Sequence, residues 1–434
     1  MRAIRLTVDA NIWSGRRGSA IYDGRLLVED GRVVALGRRQ DFGDAAAGGG
    51  DHIDARGKWV IPGLIDCHTH TIFGEVGRSY EDYMQKDSDA LMLMRAARNV
   101  MMHLAVGVTT LRDSGGRNRV TLDLAEGIRR GYIAGPRVLS SGRPITPTGG
   151  HFWWCNEEAD GIDGVRTAVR RLKKDGVDFI KIMASGGGTL GTDPTRPSYT
   201  LEEMRAIVEE AHSQGLRCSA HCEATQSVER AVRAGVDTIE HAGFQQSDGT
   251  RTYRPDVVDE MIAKGLSYSP TIQTAYRSLS RLGRDGDVPG HRIEAAHYKL
   301  TRKLENLALM LEAGVKVIAG SDAIAQFGDY VVGLELFAYA GMDTEDVLVS
   351  ATSASAEVLE CEDVGVLSEG KTADFLVLGV NPLEDVANLR SIEDIVLAGR
   401  RVEVPEDIRN ALPAESAPGH RSDIRGVLAS TERG

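Results

Sequence analysis

The chain has 434 residues, more than one small domain needs and enough to bury a large apolar core. Hydrophobic residues make up 42% and charged residues 26%, the balance of a globular enzyme. Its 51 Lys and Arg against 63 Asp and Glu leave a net charge of −12, spread along the chain, which argues against nucleic-acid or anionic-membrane partners.

No uninterrupted run of about 18 apolar residues occurs, so no membrane span is expected. Residues 1–11 lack the apolar segment of a secretory signal. The five cysteines, Cys67, Cys155, Cys218, Cys222 and Cys361, form no Cys-x-x-Cys pair and read as buried, reduced thiols of a cytoplasmic protein.

In chain order, residues 1–59 read as short strands over 3–10, 25–28 and 32–37. Asp30-Gly31 supplies a hairpin turn, and the glycines at 48–50 a flexible break. From Val60 the texture changes to β-branched runs alternating with helical stretches, which indicates βα units and a parallel sheet. Eight strands are expected, over 64–70, 108–112, 137–141, 179–184, 216–221, 238–241, 266–271 and 315–321. Helices are expected over 201–214 and 224–234, among others, and glycines at 107, 176, 215, 235, 265 and 314 close helices before strands. The fold class is therefore α/β, a (β/α)8 TIM barrel over 60–363. Strand texture returns at 364–412, so a small β-sandwich domain built from 1–59 and 364–412 is expected beside the barrel. Residues 413–434 read as a tail without a core of its own.

Chemistry in such a barrel sits at the C-terminal ends of the strands. There the sequence places His68 and His70, Lys181, His221, His241 and Asp322. In a strand, residues i and i+2 share a face, so His68 and His70 point the same way, as two ligands of one metal must. A lone His-x-His is weak evidence, and a lone core histidine is ordinarily structural. Imidazoles from three strands with a carboxylate at one rim are hard to explain as packing. Lys181 sits between Ile180 and Ile182. Burying an unpaired ammonium is costly, so it needs a partner or a chemical modification. His151 follows two glycines after the third strand; it is a candidate substrate contact or a loop cap. Phe152, Trp153 and Trp154 line a pocket or pack the loop, two readings evenly matched. His103, mid-helix, reads as packing or surface. Gly186 to Gly188 lack the Lys-Ser/Thr sequel of a phosphate loop and read as room for substrate.

Taken in order, His68-x-His70, Lys181, His221, His241 and Asp322 resemble the metal-dependent amidohydrolase superfamily. Thr148-Gly-Gly-His151, Asp178-Phe-Ile-Lys-Ile-Met-Ala-Ser-Gly-Gly187, Ile239-Glu-His-Ala-Gly243, Gly320-Ser-Asp322 and Gly370-Lys-Thr-Ala-Asp374 resemble its imidazolonepropionase-like, prolidase-like (Xaa-Pro dipeptidase-related) branch. The resemblance implies two divalent metal ions, zinc by the imidazole-rich donor set. It places one on His68, His70 and Asp322 and the other on His221 and His241. Lys181, as a CO2-derived carbamate, and a hydroxide would bridge them. It also implies Asp322 as the proton shuttle, His151 as a contact to the substrate carbonyl or oxyanion, a small-molecule substrate, and a homo-oligomer.

The expected activity is hydrolysis of an amide-type C–N bond in a dipeptide, N-acyl amino acid or related small amide. A deaminase, or a cyclic amide, imidazolone, carbamate or urea hydrolase, is the second reading. A non-catalytic scaffold barrel is the third, and retention of all six ligands speaks against it. Glu223, two residues after His221, stands where relatives hold a substrate carboxylate with aromatic or histidine side chains. Two readings compete for it: contact with a substrate amine, guanidinium or amide N–H, or a salt bridge to a nearby Lys or Arg.

Overall fold

A computed structural model describes residues 5–42, 50–74, 78–283 and 288–429. Residues 3 and 4 of the first expected strand, and 48 and 49 of the glycine break, lie outside them. Two parallel sheets carry the repeating βα units. One joins Leu64–Thr69, Val108–Asp113 and Arg137–Ser140. The other runs Lys316–Val317, Ser267–Ser269, Thr238–Glu240, Cys218–His221, Ile180–Met183, Ile145–Thr146 and Glu157–Glu158. All eight expected strands have a counterpart here; the last two are shorter than expected. Backbone hydrogen bonds cross both gaps between these sheets. The Asp178 amide donates to the Ser140 carbonyl at 2.9 Å, and the Cys67 amide to the Ala319 carbonyl at 2.8 Å.

The helices follow their sequence signals. Leu201–Ser213 starts with a capping box, Thr200 and Glu203 each satisfying the other's backbone N–H. Helices Gly161–Asp175, Thr225–Ala234 and Gly290–Ala313 end on the left-handed glycines 176, 235 and 314. No helix among the described residues is long and apolar enough to cross a membrane.

The chain ends meet in a third, mixed sheet of seven strands. Its order is Arg400–Arg401, Ile392–Leu397, Phe375–Leu378, Asp51–Pro62, Arg5–Trp13, Ala20–Glu29 and Arg32–Arg38. Asp51–Pro62 is the seam: it pairs parallel with Arg5–Trp13 and antiparallel with Phe375–Leu378. Its partner register jumps between Asp54 and Trp59, so the strand turns a corner there. This sheet has its own core, in which Val8, Ile12, Leu26, Val60, Phe375 and Val377 are buried. The tail adds Ile424 to the main core rather than lying free, and Arg390 anchors it through the Glu415 carbonyl at 2.7 Å.

Trp13 ties the terminal sheet to the rest. It is 0% exposed, belongs to the main core, and its indole N–H donates to Glu345 at 2.8 Å. Trp13→Ala removes both the packing and the bond. Urea denaturation should show a loss of about 3–5 kcal/mol, the range for an emptied aromatic site.

Candidate active site

The six expected ligands converge at one rim. Lys181 and Met183 share the inward face of their strand, and Ile180 and Ile182 the outward one. Register sets Lys181 opposite Ser219 and Met183 opposite His221. The imidazoles form a chain of rings: His68 lies 5.3 Å from His70 and 5.1 Å from His241, centroid to centroid. His241 lies 4.6 Å from His221, and His221 lies 4.7 Å from His151. Asp322 Oδ1 approaches His68 Nε2 at 3.5 Å and His70 Nε2 at 3.8 Å. His68, His241 and Asp322 offer ligand atoms within 4.8 Å of one another, a donor set able to hold a metal ion.

Neighbours fix which nitrogen of each ring keeps a free lone pair. A carbonyl only accepts, so His70 Nδ1 donates to Gly115 O (3.2 Å) and leaves Nε2 open. By the same logic His221 Nε2 donates to Gly186 O (3.1 Å) and leaves Nδ1 open. The His68 Nδ1–H donates to the Glu240 carboxylate at 2.6 Å. Thr271 gives its hydroxyl proton to the Pro270 carbonyl, so it accepts from His241 Nδ1 at 2.6 Å. Four rings therefore present four lone pairs. Burial holds His70 and His241 well below the ordinary imidazole pKa and His221 at about 3, so all three are neutral near pH 7.

Two ligands sit on strained backbone. His241 has φ +66° and Asp322 φ +53°. In a regular strand Glu240 and His241 would face opposite sides. The left-handed turn at His241 lets both serve the interior.

Lys181 is 1% exposed, and its Nζ has no hydrogen-bond partner. Burial pulls its pKa down to about 8. Beneath it lies a polar cluster that the sequence reading missed. Glu240, 0% exposed, accepts from His68, from Arg112 Nη2 (2.7 Å) and from Ser219 Oγ (2.5 Å). The signal for it was present: an acidic residue and an arginine in two short strands whose other members are mostly β-branched. His103, expected as packing or surface, is buried and pairs with Asp66 at 3.2 Å.

His151 is buried, stacks on Phe152 at 4.2 Å and meets Thr189 Oγ1 through Nδ1 at 2.9 Å. Thr189 also accepts from the Phe152 amide; in the tautomer where the Thr189 hydroxyl donates to Nδ1, His151 Nε2 keeps a hydrogen to donate. A Cβ on Gly187 would lie 2.5 Å from that Nε2, so only glycine leaves the ring its place. Phe152 faces the cavity, while Trp154 packs against Phe73 and Phe152 and Trp153 is partly exposed.

A cavity of about 420 Å³ covers this rim, lined by His70, His151, Lys181, His221, His241 and Asp322 and, at its far end, by Glu223, Arg251, Lys299 and Lys303. Glu223 is not free to meet a substrate cation: Arg251 Nη1 donates to it at 2.8 Å. The salt-bridge reading of this residue is the one the structure carries. A separate trio, His212, Cys218 and Asp237, lies away from this cavity. There the Asp237 carboxylate is taken up by Arg217 (2.9 Å) and the Cys218 amide (2.7 Å).

The profile of the amidohydrolase family matches residues 59–402. The chain belongs to the amidohydrolase family. This amidohydrolase is 29% identical over 362 residues to the ochratoxinase of Aspergillus niger, covering 75% of this chain and 71% of that one. It is 24% identical over 421 residues to the imidazolonepropionase of Desulfotalea psychrophila, covering 88% and 92%. A solved Xaa-Pro dipeptidase with methionine bound in its active site superposes with a TM-score of 0.82 at 27% identity, covering 92% of this chain and all (100%) of that one. The amidohydrolase is thus a hydrolase acting on small molecules.

Glu240→Gln keeps the shape of the buried cluster but removes its charge, stranding Arg112. Denaturation should show a loss of about 3–5 kcal/mol, as for a broken buried ion pair. An unchanged midpoint would mean that Arg112 finds another counter-ion.

Proposed function

We propose that this amidohydrolase is a binuclear metal-dependent hydrolase of an amide-type C–N bond in a dipeptide, N-acyl amino acid or related small amide. The observation that carries the reading is Lys181: a buried amine, without a hydrogen-bond partner among the described residues, lining the same cavity as His70, His221 and His241. Left as an ammonium it is a cost with no return. As a carbamate it becomes an anionic oxygen ligand between two cations. In this reading His68, His70 and Asp322 would hold one ion and His221 and His241 the other, with Lys181 as a ligand shared by both. Two divalent ions, zinc by donor type, would polarise the scissile carbonyl and bring a bound water's pKa toward neutrality.

The chain's own groups do the rest. His151 Nε2–H donates to the carbonyl oxygen as charge develops on it. Asp322 takes the proton of the attacking water on a carboxylate oxygen and passes it to the leaving nitrogen. Phe152 and the loop at 186–188 keep bulk water off the reacting centre.

We take the eight expected strands of the two parallel sheets as one closed barrel over 60–363, with 145–146 and 157–158 as additional short strands, 1–59 and 364–412 forming the companion β domain and 413–434 the tail. The hydrogen bonds across both gaps support the closure. The imidazolonepropionase relative favours a second reading, a cyclic-amide hydrolase or deaminase. A mononuclear version of it leaves Lys181 without a task.

Metal analysis of the purified chain should give about two ions; one favours the deaminase type. Lys181→Ala should lose most metal and activity, with partial rescue by short carboxylates; full metal content would refute the bridge. Asp322→Asn should keep most of its metal and lose about 100-fold or more in turnover, on the scale of general-base catalysis.

A further inference from the structure

The far end of the active-site cavity carries a charge imbalance that the fold does not need. Arg251, Lys299 and Lys303 face one carboxylate, Glu223. Arg251 is held by three hydrogen bonds: Nη1 donates to Glu223 (2.8 Å) and Gly243 O (2.9 Å), and Nη2 to Gln245 (3.1 Å). Gly243 makes room for that pair, since a Cβ there would lie 2.2 Å from Glu223 Oε2. With Arg251 matched to Glu223, the two lysines remain. They stand one turn apart on helix Gly290–Ala313, where like charges repel.

Lys303 is 2% exposed. Its Nζ lies 4.0 Å from Glu223 Oε1, beyond a hydrogen bond, and its one hydrogen bond among the described residues is a long 3.5 Å to the Pro270 carbonyl. An ammonium has three donors, so two of them go unmet in a buried place. Lys299 Nζ lies 3.8 Å from the same Glu223 oxygen, half-exposed at the cavity mouth. Both line the cavity that holds Lys181 and Asp322. Burying such a cation unmatched is unfavourable unless something else supplies the anion.

We propose that Lys303 and Lys299 form an anion subsite that binds a free carboxylate of the substrate, with Glu223 and Arg251 as the fixed pair that shapes its wall. This deepens the hydrolase reading of the same cavity and rests on it. It narrows the substrate class to anionic amides, and of the two sequence-based readings of Glu223 it takes the salt bridge.

The test uses two probes that contain no amide bond, 3-phenylpropionate and neutral 3-phenylpropanol, titrated calorimetrically into the metal-loaded full chain. The carboxylate should bind about 10- to 100-fold more tightly than the alcohol, the range of a charge-assisted hydrogen bond. Lys303→Met should lose most of that preference and Lys299→Met part of it, with metal content unchanged in both. Equal binding of the two probes, or binding of neither, overturns the proposal. So does an undiminished preference in the Lys303→Met protein, which would place the carboxylate on the metal ions. If Lys303→Met fails to fold, the exposed Lys299→Met carries the test alone: a preference equal to the parent's then overturns the proposal. Turnover of a dipeptide and N-acyl amino acid panel separates the two readings. No cleavage, with the lysine-dependent preference intact, sinks the hydrolase substrate reading and leaves the anion subsite standing.

Discussion

The interior of this protein is organised by the cost of holding charge away from water. Glu240, Arg112, His68, Ser219 and Lys181 meet at the heart of a parallel sheet whose outward faces are aliphatic. Ionised groups there persist only with partners in hydrogen-bond geometry. Glu240 meets that condition three times over, which orients His68 and holds its carboxylate well below the usual range against the opposing pull of burial. Lys181, two strands over, meets none of it among the described residues. The cluster is therefore balanced on one side and open on the other, and the open side faces the cavity.

The same constraint explains where the backbone is strained. Strands deliver side chains to alternate faces, yet the rim needs consecutive residues to turn inward. Left-handed φ values at His241, Ala242, Phe244, Thr271 and Asp322 meet that need at the strand ends. Each such residue loses local stability, and the dense packing of the sheets behind it holds the conformation in place. Rigid placement of this kind suits a site whose donors must be aimed before substrate arrives.

Much of this was legible from residue order. His68, His70, Lys181, His221, His241 and Asp322 each end or interrupt an apolar run, and the period of the strands puts them at one rim. Helix limits followed from capping residues and glycines, as at Thr200 and Gly235. What escaped the sequence is pairing at long range. Arg112 and Glu240 are separated by 128 residues, and nothing local to either announces the other. The two readings of Glu223 stayed open in the sequence for the same reason: its partner Arg251 lies 28 residues on, in a different loop, and Lys299 and Lys303 lie on a helix further still. Such pairs are products of topology, which brings strand ends and loops together irrespective of spacing.

The sheet shared by the two chain ends has a consequence for how the molecule is made. Asp51–Pro62 must pair with Phe375–Leu378, which leaves the ribosome roughly 300 residues later, about 15–60 s at ordinary elongation rates. Until then the nascent N-terminal strands present an unpaired edge bearing Trp59, Val60 and Ile61. The amino-terminal half of that sheet can only be completed after every barrel unit between has emerged. Closure of the molecule is thus a late event in its synthesis, and a chain released early would carry a sticky edge where the finished protein has a seam.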